Sequence, residues 1–473
     1  MAVLVSGVGY VARDSGSSTT VAASTDTRTR QLPPSASAAS AVSTSWYCPG
    51  VPLGGAGYSG TEYGGLVRVA NPSDVELRGV LTRYVANADS LSEPITVPPR
   101  GTLEVNLAEG VAGSYVSALV ELAGESGSDR VVVEQLAKYP AGDSTQPCAN
   151  EPSTQWFFAD GFTASDSTED LLLTNPLPDA TVVNIRFVTK DGERTPSQLQ
   201  GFVIQPNSLR VLNIAEQGAR GETLVGVEIR AKSGALVAAR AQHYLGTGRL
   251  GYSIKLGSPD SHTDWWMIAG DYRGKPSEQI EVFNPNDVDA TVAVLVFGGP
   301  AVKVEPLNVV VPAHRLVIIA MDNLAGLDAT TFAMSLSVIE GEGVVVEHVA
   351  TRQAGENLAT TVDLAMPAVM AATEWRIPVA PPSGTTESLL FFNVTALEST
   401  VTIKAVGPAG VLPIAGFESL TIAPGVPTYM SLPDGAPLGQ LVVKSTNDIL
   451  VMRVSPQSMG VKGREFIWGF PVR

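Results

Sequence analysis

The sequence predicts an all-β protein built of four tandem immunoglobulin-like antiparallel β-sandwich domains, and three observations carry that prediction. Trp46, Trp156, Trp265 and Trp375 stand about 110 residues apart in a chain of 473 residues. An Asn closes the first apolar run after each of them, at Asn71, Asn175, Asn284 and Asn393. In the runs that follow, apolar and polar residues alternate, as with Val183, Ile185 and Phe187 around Asn184 and Arg186. The long period suits a small domain rather than a solenoid unit. The period of two is that of a half-buried strand.

Taken in order, residues 1–45 come first. The apolar run MAVLVSGVGYVA is too short for a membrane span and lacks a basic start, so it reads as the remnant of a truncated signal anchor. From Asp14 to Ser45 the chain is rich in Ser, Thr, Ala and Pro, which cannot bury enough surface to offset ordering, and it reads as a stalk. The four domains then cover residues 46–150, 151–260, 261–370 and 371–473. Each holds about seven or eight short strands with turns at Asn-Pro, Asp-Gly, Ser-Gly or Pro-Asn. Each closes on a hairpin, such as LVGVEIRAKSGALVAARAQ in the second. One more strand follows at LGYSIKLGS, ATTVDLAMP and EFIWGFPVR, whereas Pro140 to Gln155 reads as a linker. The recurring Trp is expected to plug one end of each sandwich, because a core position must recur at a fixed distance from a strand and a ligand platform need not.

Composition narrows the function. With 31 basic and 47 acidic residues the net charge is −16, which leaves no phosphate-neutralising surface and excludes nucleic acid as a partner class. Four histidines form no HExxH or close pair, and no GxSxG elbow occurs, so neither a metal centre nor a serine nucleophile is indicated; no cofactor is implied. The grouping Ser258 to His262 lies in a connector and does not build a triad. Cys48 and Cys148 both lie in loops flanked by Gly and Pro; they either form a disulfide closing the first domain or stand as two inert thiols.

Two constellations invite a binding role. Aligned closing segments put Gln135, Arg240, His348 and Arg453 in register, with Glu134 and Glu347 preceding two of them; the bland reading is a tolerant polar position, or an Arg that pins a neighbouring domain through backbone carbonyls. Ligand contacts, if present, would involve Arg240, His243, Trp266 and Arg453. The acidic loop with Asp160, Asp166, Glu169 and Asp170 offers oxygen ligands for Ca²⁺ without EF-hand spacing, and otherwise is a solvated rim.

The strings WYCPG, STQPCANEPSTQWFFADGF, DLLLTNPLPDATVVNIRFVTKDGERTP and EQIEVFNPNDVDATVAVLVFG resemble an actinobacterial family of secreted or membrane-anchored proteins, the domain-of-unknown-function family 5719, from about Trp46 to Arg473. The resemblance implies a cell-envelope location and the Cys48–Cys148 pair, and brings no catalytic residues. The resulting expectation is a non-enzymatic exported protein acting as scaffold, spacer or adhesive module, held to the membrane only through its N-terminus. The alternative is a module for wall or capsular polysaccharide using Trp265, Trp266, Tyr272 and Trp468; envelope proteins are the other partner class.

Overall fold

The computed structural model describes residues 31–37, 43–55, 60–123, 130–246, 248–272, 277–299, 302–327, 331–378, 387–433, 439–461 and 463–473. The expected anchor remnant, and the stalk as far as residue 30, lie outside them. Residues 31–473 form one compact unit, composed of antiparallel β-sheets with three single-turn 3-10 segments among the described residues.

All four repeats share one strand plan. In the first, the strands are Ser43–Pro52, Gly64–Ala70, Leu77–Val85, Leu91–Val97, Thr102–Asn106, Tyr115–Ala123, Val132–Tyr139 and Gly142–Pro147. Positions one, six, three and four make one sheet; positions five, two, seven and eight make the other. In the second repeat, position four is split into Gly192–Arg194 and Gln200–Ile204, both against Thr181–Thr189. In the fourth, positions six and seven are one strand, Gln440–Pro456, whose first part pairs in one sheet and whose last part pairs in the other.

The closing segments are therefore not hairpins. Strands six and seven enter opposite sheets, as Val225–Ser233 against Thr181–Thr189 and Val237–Tyr244 against Thr168–Asn175 show. Two alternating runs around a turn look alike whether the chain folds within a sheet or arches over the core. The seventh strand does carry a mark of its position: Val132, Val133, Glu134 and Gln135 are all buried, because one face meets the core and the other meets a neighbouring repeat.

The recurring residues hold each sandwich together. The four Trp are at most 2% exposed, so none is a platform for sugars. In the last three repeats the indole N–H donates to a carbonyl at the start of the seventh strand: Trp156 to Leu236 (2.8 Å), Trp265 to Val344 (2.9 Å), Trp375 to Ile449 (3.1 Å). The Asn at the end of the second strand donates Nδ2 to the carbonyl four residues on and to one from a later strand end. Asn284 reaches Val288 (2.8 Å) and Val311 (2.9 Å), and Asn393 reaches Leu397 (2.7 Å) and Ile422 (3.1 Å). Its Oδ1 accepts the N–H two residues on. This turn needs the amide and not the following Pro, which is why Val394 is tolerated in the fourth repeat.

The repeats close on themselves. Each eighth strand lies against the next: Gly142–Pro147, Gly251–Leu256, Asn357–Leu364 and Arg464–Trp468, with the last returning to the first. The segment Pro140 to Gln155 thus contains the eighth strand of the first repeat. Its sequence, GDSTQP, has no apolar alternation because polar neighbours surround it. Ser144 Oγ donates to Glu465 (3.0 Å), the Thr145 N–H donates to the same oxygen (2.6 Å), and Lys255 Nζ donates to Thr145 O (3.1 Å). The end of the expected stalk is also part of the fold. Gln31 N donates to Asp260 (3.3 Å), Ser35 and Asn150 exchange hydrogen bonds, and Ala36 N donates to Pro471 O (3.0 Å). Residues 31–37 are thereby a strap across the axial strands, fixed by backbone hydrogen bonds that composition does not reveal.

Candidate functional site

The seams between repeats gather nearly all the polar residues that the sequence singles out. In each repeat a side chain from the seventh strand caps a backbone carbonyl near the end of the opening strand: Gln135 to Gly50, Arg240 to Asp160, Arg352 to Ala269 and Arg453 to Pro378. This joins the two sheets at one end. The two arginines Arg240 and Arg453 then reach a neighbour. Arg240 meets Glu347 of the third repeat (3.2 and 3.3 Å), and Arg453 meets Glu134 of the first (3.0 Å), which also pairs with Arg68. The pinning is to the arginine's own repeat through a carbonyl and to the neighbour through a carboxylate.

The seam between repeats 2 and 3 is heavily charged. Asp160 is fully buried and accepts from Tyr244 (2.7 Å) and Arg249 (3.0 Å), while Arg249 also reaches Glu281 (3.4 Å). Burial pushes the Asp160 carboxyl up, but Arg249 and Arg240 outweigh it and hold Asp160 below its ordinary range. Burial lifts Glu347, against the opposing effect of Arg240 and the N–H groups of Ala159 and Asp160. Phe157 stacks edge-on against Phe283 beside them (6.2 Å). At the axis, burial pulls Lys255 down, and Glu465 and Asp363 more than reverse it.

The remaining candidates fall as follows. His243 lies in the seam between repeats 1 and 2, its ring 4.9 Å from that of Tyr139, and burial lowers its pKa. Trp266 packs between Phe297 (5.3 Å) and Phe392 (5.1 Å), and Trp468 donates to Leu364 O (2.8 Å), both between repeats 3 and 4. Cys48 and Cys148 form a disulfide. The four carboxylates of the acidic loop do not converge. Asp160 faces arginines, Asp170 bonds Asn213 and Tyr115, Asp166 sits on a turn with φ of 63°, and Glu169 points inward. Among the described residues no three His, Cys, Asp or Glu side chains form a metal-holding group, and no helix is long and apolar enough to cross a membrane.

Glu169 is a buried acid without hydrogen-bond partners for either carboxyl oxygen among the described residues. Burial raises its pKa well above the ordinary value; Arg240 opposes this, and Asp160 and Glu347 add to it. Between the unfolded and folded pKa the folded chain binds more protons, so this group lowers stability as pH rises. Glu169→Gln is expected to stabilise the protein by about 1–3 kcal/mol at pH near 7, with the gain vanishing towards pH ~4. Urea unfolding of both proteins across that range measures it; an unchanged difference at all pH values would contradict it.

Among known proteins, the family model described as "Family of unknown function (DUF5719)" matches residues 107–248 and 258–465, about three quarters of the chain. No curated protein matches. Among solved structures, the chain is similar to a "Biofilm associated protein - BSP domain" at 11% identity, over 95% of this chain and 98% of that one, with a TM-score of 0.16. It is also similar to a "tetra-tandem repeat in extending region of large adhesion protein" at 11% identity, over 84% and 92%, with a TM-score of 0.11. At such scores these two likenesses carry no argument about fold or site.

Proposed function

Since the chain belongs to the DUF5719 family of unknown function, no reaction comes to it by kinship, and we propose that it is a non-enzymatic module of the cell exterior, a scaffold whose outward faces bind other envelope components. The observation that carries this reading is the use of Arg240, Arg453, Glu134 and Glu347 in buried bridges between repeats. Catalysis needs charged groups poised at a solvent-connected cleft, whereas these are spent on fixing one repeat to the next. The disulfide suits an oxidising compartment. A compact unit favours a rigid platform over an extended spacer. The aromatic route to polysaccharide loses support, since Trp265 is core and Trp266 and Trp468 fill seams.

Thiol trapping in cells producing the full chain tests the location. Because Cys48 and Cys148 are buried, the cells are quenched in acid and denatured with a maleimide present, and the two cysteines should then label only after subsequent reduction. Labelling of both before reduction would overturn the exterior reading.

A further inference from the structure

The outward face of the sheet that holds strands one, six, three and four differs from repeat to repeat. In the fourth, cross-strand register sets Arg376, Val442 and Lys404 in one row and Glu374, Lys444 and Thr402 in the next. The same rows in the second repeat read Phe157, Glu228, Arg186 and Gln155, Arg230, Asn184. There Glu228 stands between the cations and pairs with both Arg186 and Arg230. In the fourth repeat Val442 replaces that central carboxylate, and Arg376 replaces the aromatic that follows the opening Trp in the other three (Tyr47, Phe157, Trp266).

The seam facing these rows is also unlike the others. Phe157 meets Phe283 across the seam of repeats 2 and 3, and Trp266 meets Phe392 across that of 3 and 4. The position of those phenylalanines, just before the recurring Asn, is Ala70 in the first repeat. With Arg376 and Ala70 at these two positions in place of aromatics, the seam of repeats 4 and 1 retains a groove of about 400 Å³, within the size of small-ligand sites. Arg130 from the first repeat and Arg376, Lys404 and Lys444 from the fourth line it over a floor that includes Val406 and Val442.

Among the described residues no carboxylate lines the groove; Glu374 stands beside Lys444 in the outward row, 3.7 Å from Arg130 and 3.3 Å from Lys444, and paired with Arg376. Burial pushes Glu374 up, and Arg376, Arg130 and Lys444 together hold it below the ordinary carboxylate range. Lys444 is 59% exposed and Arg130 39%, so the groove opens to solvent. On a chain of net charge −16 this concentration of cations makes a local attractive field.

We infer that this groove binds an acidic oligosaccharide, with its carboxylate groups on the cationic rows and its ring carbons on the valine floor. The choice of an anion rests on the groove alone, and the choice of a sugar rests on the exterior reading above. Nucleic acid fits less well: among the described residues no aromatic side chain lines the groove for bases to stack on, and the overall charge repels a long polyanion.

The test is calorimetric titration of the full chain, disulfide intact, with trigalacturonic acid and with neutral maltotriose. The expected result is saturable binding of the acid, weakened by salt, and none of maltotriose. Lys404→Ala/Lys444→Ala should weaken it by about tenfold or more, while Lys232→Ala on the second repeat leaves it unchanged, and thermal melts verify that both variants fold. Absence of binding, equal affinity for maltotriose, or a folded double variant with native affinity would overturn the site. An oligothymidylate bound more tightly than trigalacturonate would overturn the sugar. Cysteine labelling bears only on location, so the two readings fail separately.

Discussion

Arg240→Met is expected to lower stability by about 3–5 kcal/mol at neutral pH, because it leaves two buried carboxylates without their shared cation. Arg240 is 1% exposed, Glu347 and Asp160 no more so, and the guanidinium also caps the Asp160 carbonyl. The loss should shrink on acidification, since protonation of the stranded carboxylates removes the uncompensated charge. Urea unfolding at two pH values measures this. Adding Glu347→Gln to Arg240→Met should recover part of the loss, and the double-mutant cycle isolates the coupling across the seam. A single variant within about 0.5 kcal/mol of native would show that the bridge carries no weight.

The second large effect is expected at the disulfide. Replacing Cys48 and Cys148 by serine should lower stability by about 2–4 kcal/mol, with ~4.7 kcal/mol as the chain-entropy figure for a loop of 100 residues. The bridge has a local reason as well. In every repeat, the chain leaving the eighth strand pairs with the opening strand beside or at the recurring Trp: Tyr47 with Ala149, Phe157 with Ser258, Trp265 with Pro367, Trp375 with Pro471. Three of the eighth strands bring apolar side chains to this crossing (GYSIKL, NLATTVDL, REFIW), and the first brings GDSTQP. The covalent link thus stands where the apolar contribution is weakest. Loss of protection of the first repeat in hydrogen exchange, ahead of the other three, is the corresponding local signature. Uniform loss across the chain would place the effect in the unfolded state instead.

The repeat and its strand content were legible because both rest on local patterns: Trp at a fixed phase, Asn at a turn that needs an amide, and alternation where one face is buried. What was not legible depends on partners distant in sequence. The polar strand GDSTQP looked like a linker because its burial is satisfied by Glu465 and Lys255 rather than by apolar packing. The strap at residues 31–37 looked like stalk because its anchors are Asp260, Asn150 and Pro471. The register of Gln135, Arg240, His348 and Arg453 was visible, and so were Glu134 and Glu347 beside two of them. Their different chemistries looked like tolerance because the complements of Arg240 and Arg453 lie in another repeat, whereas Gln135 and His348 face Gly50 and Glu278 of their own. The cationic groove was readable in principle: Arg376 interrupts the series Tyr47, Phe157, Trp266, and Ala70 stands where later repeats place Phe283 and Phe392.

The bridges Arg240–Glu347 and Arg453–Glu134 put carboxylates on odd-numbered repeats and guanidinium groups on even ones. The complementarity therefore has a period of two repeats, not one. A half-molecule of two repeats carries one group of each sign and is its own complement under a half-turn, the arrangement of an isologous dimer written into a single chain. An odd number of repeats would force two like groups together or leave one buried and alone. In a closed ring these two bridges therefore repeat in register only when the number of copies is even.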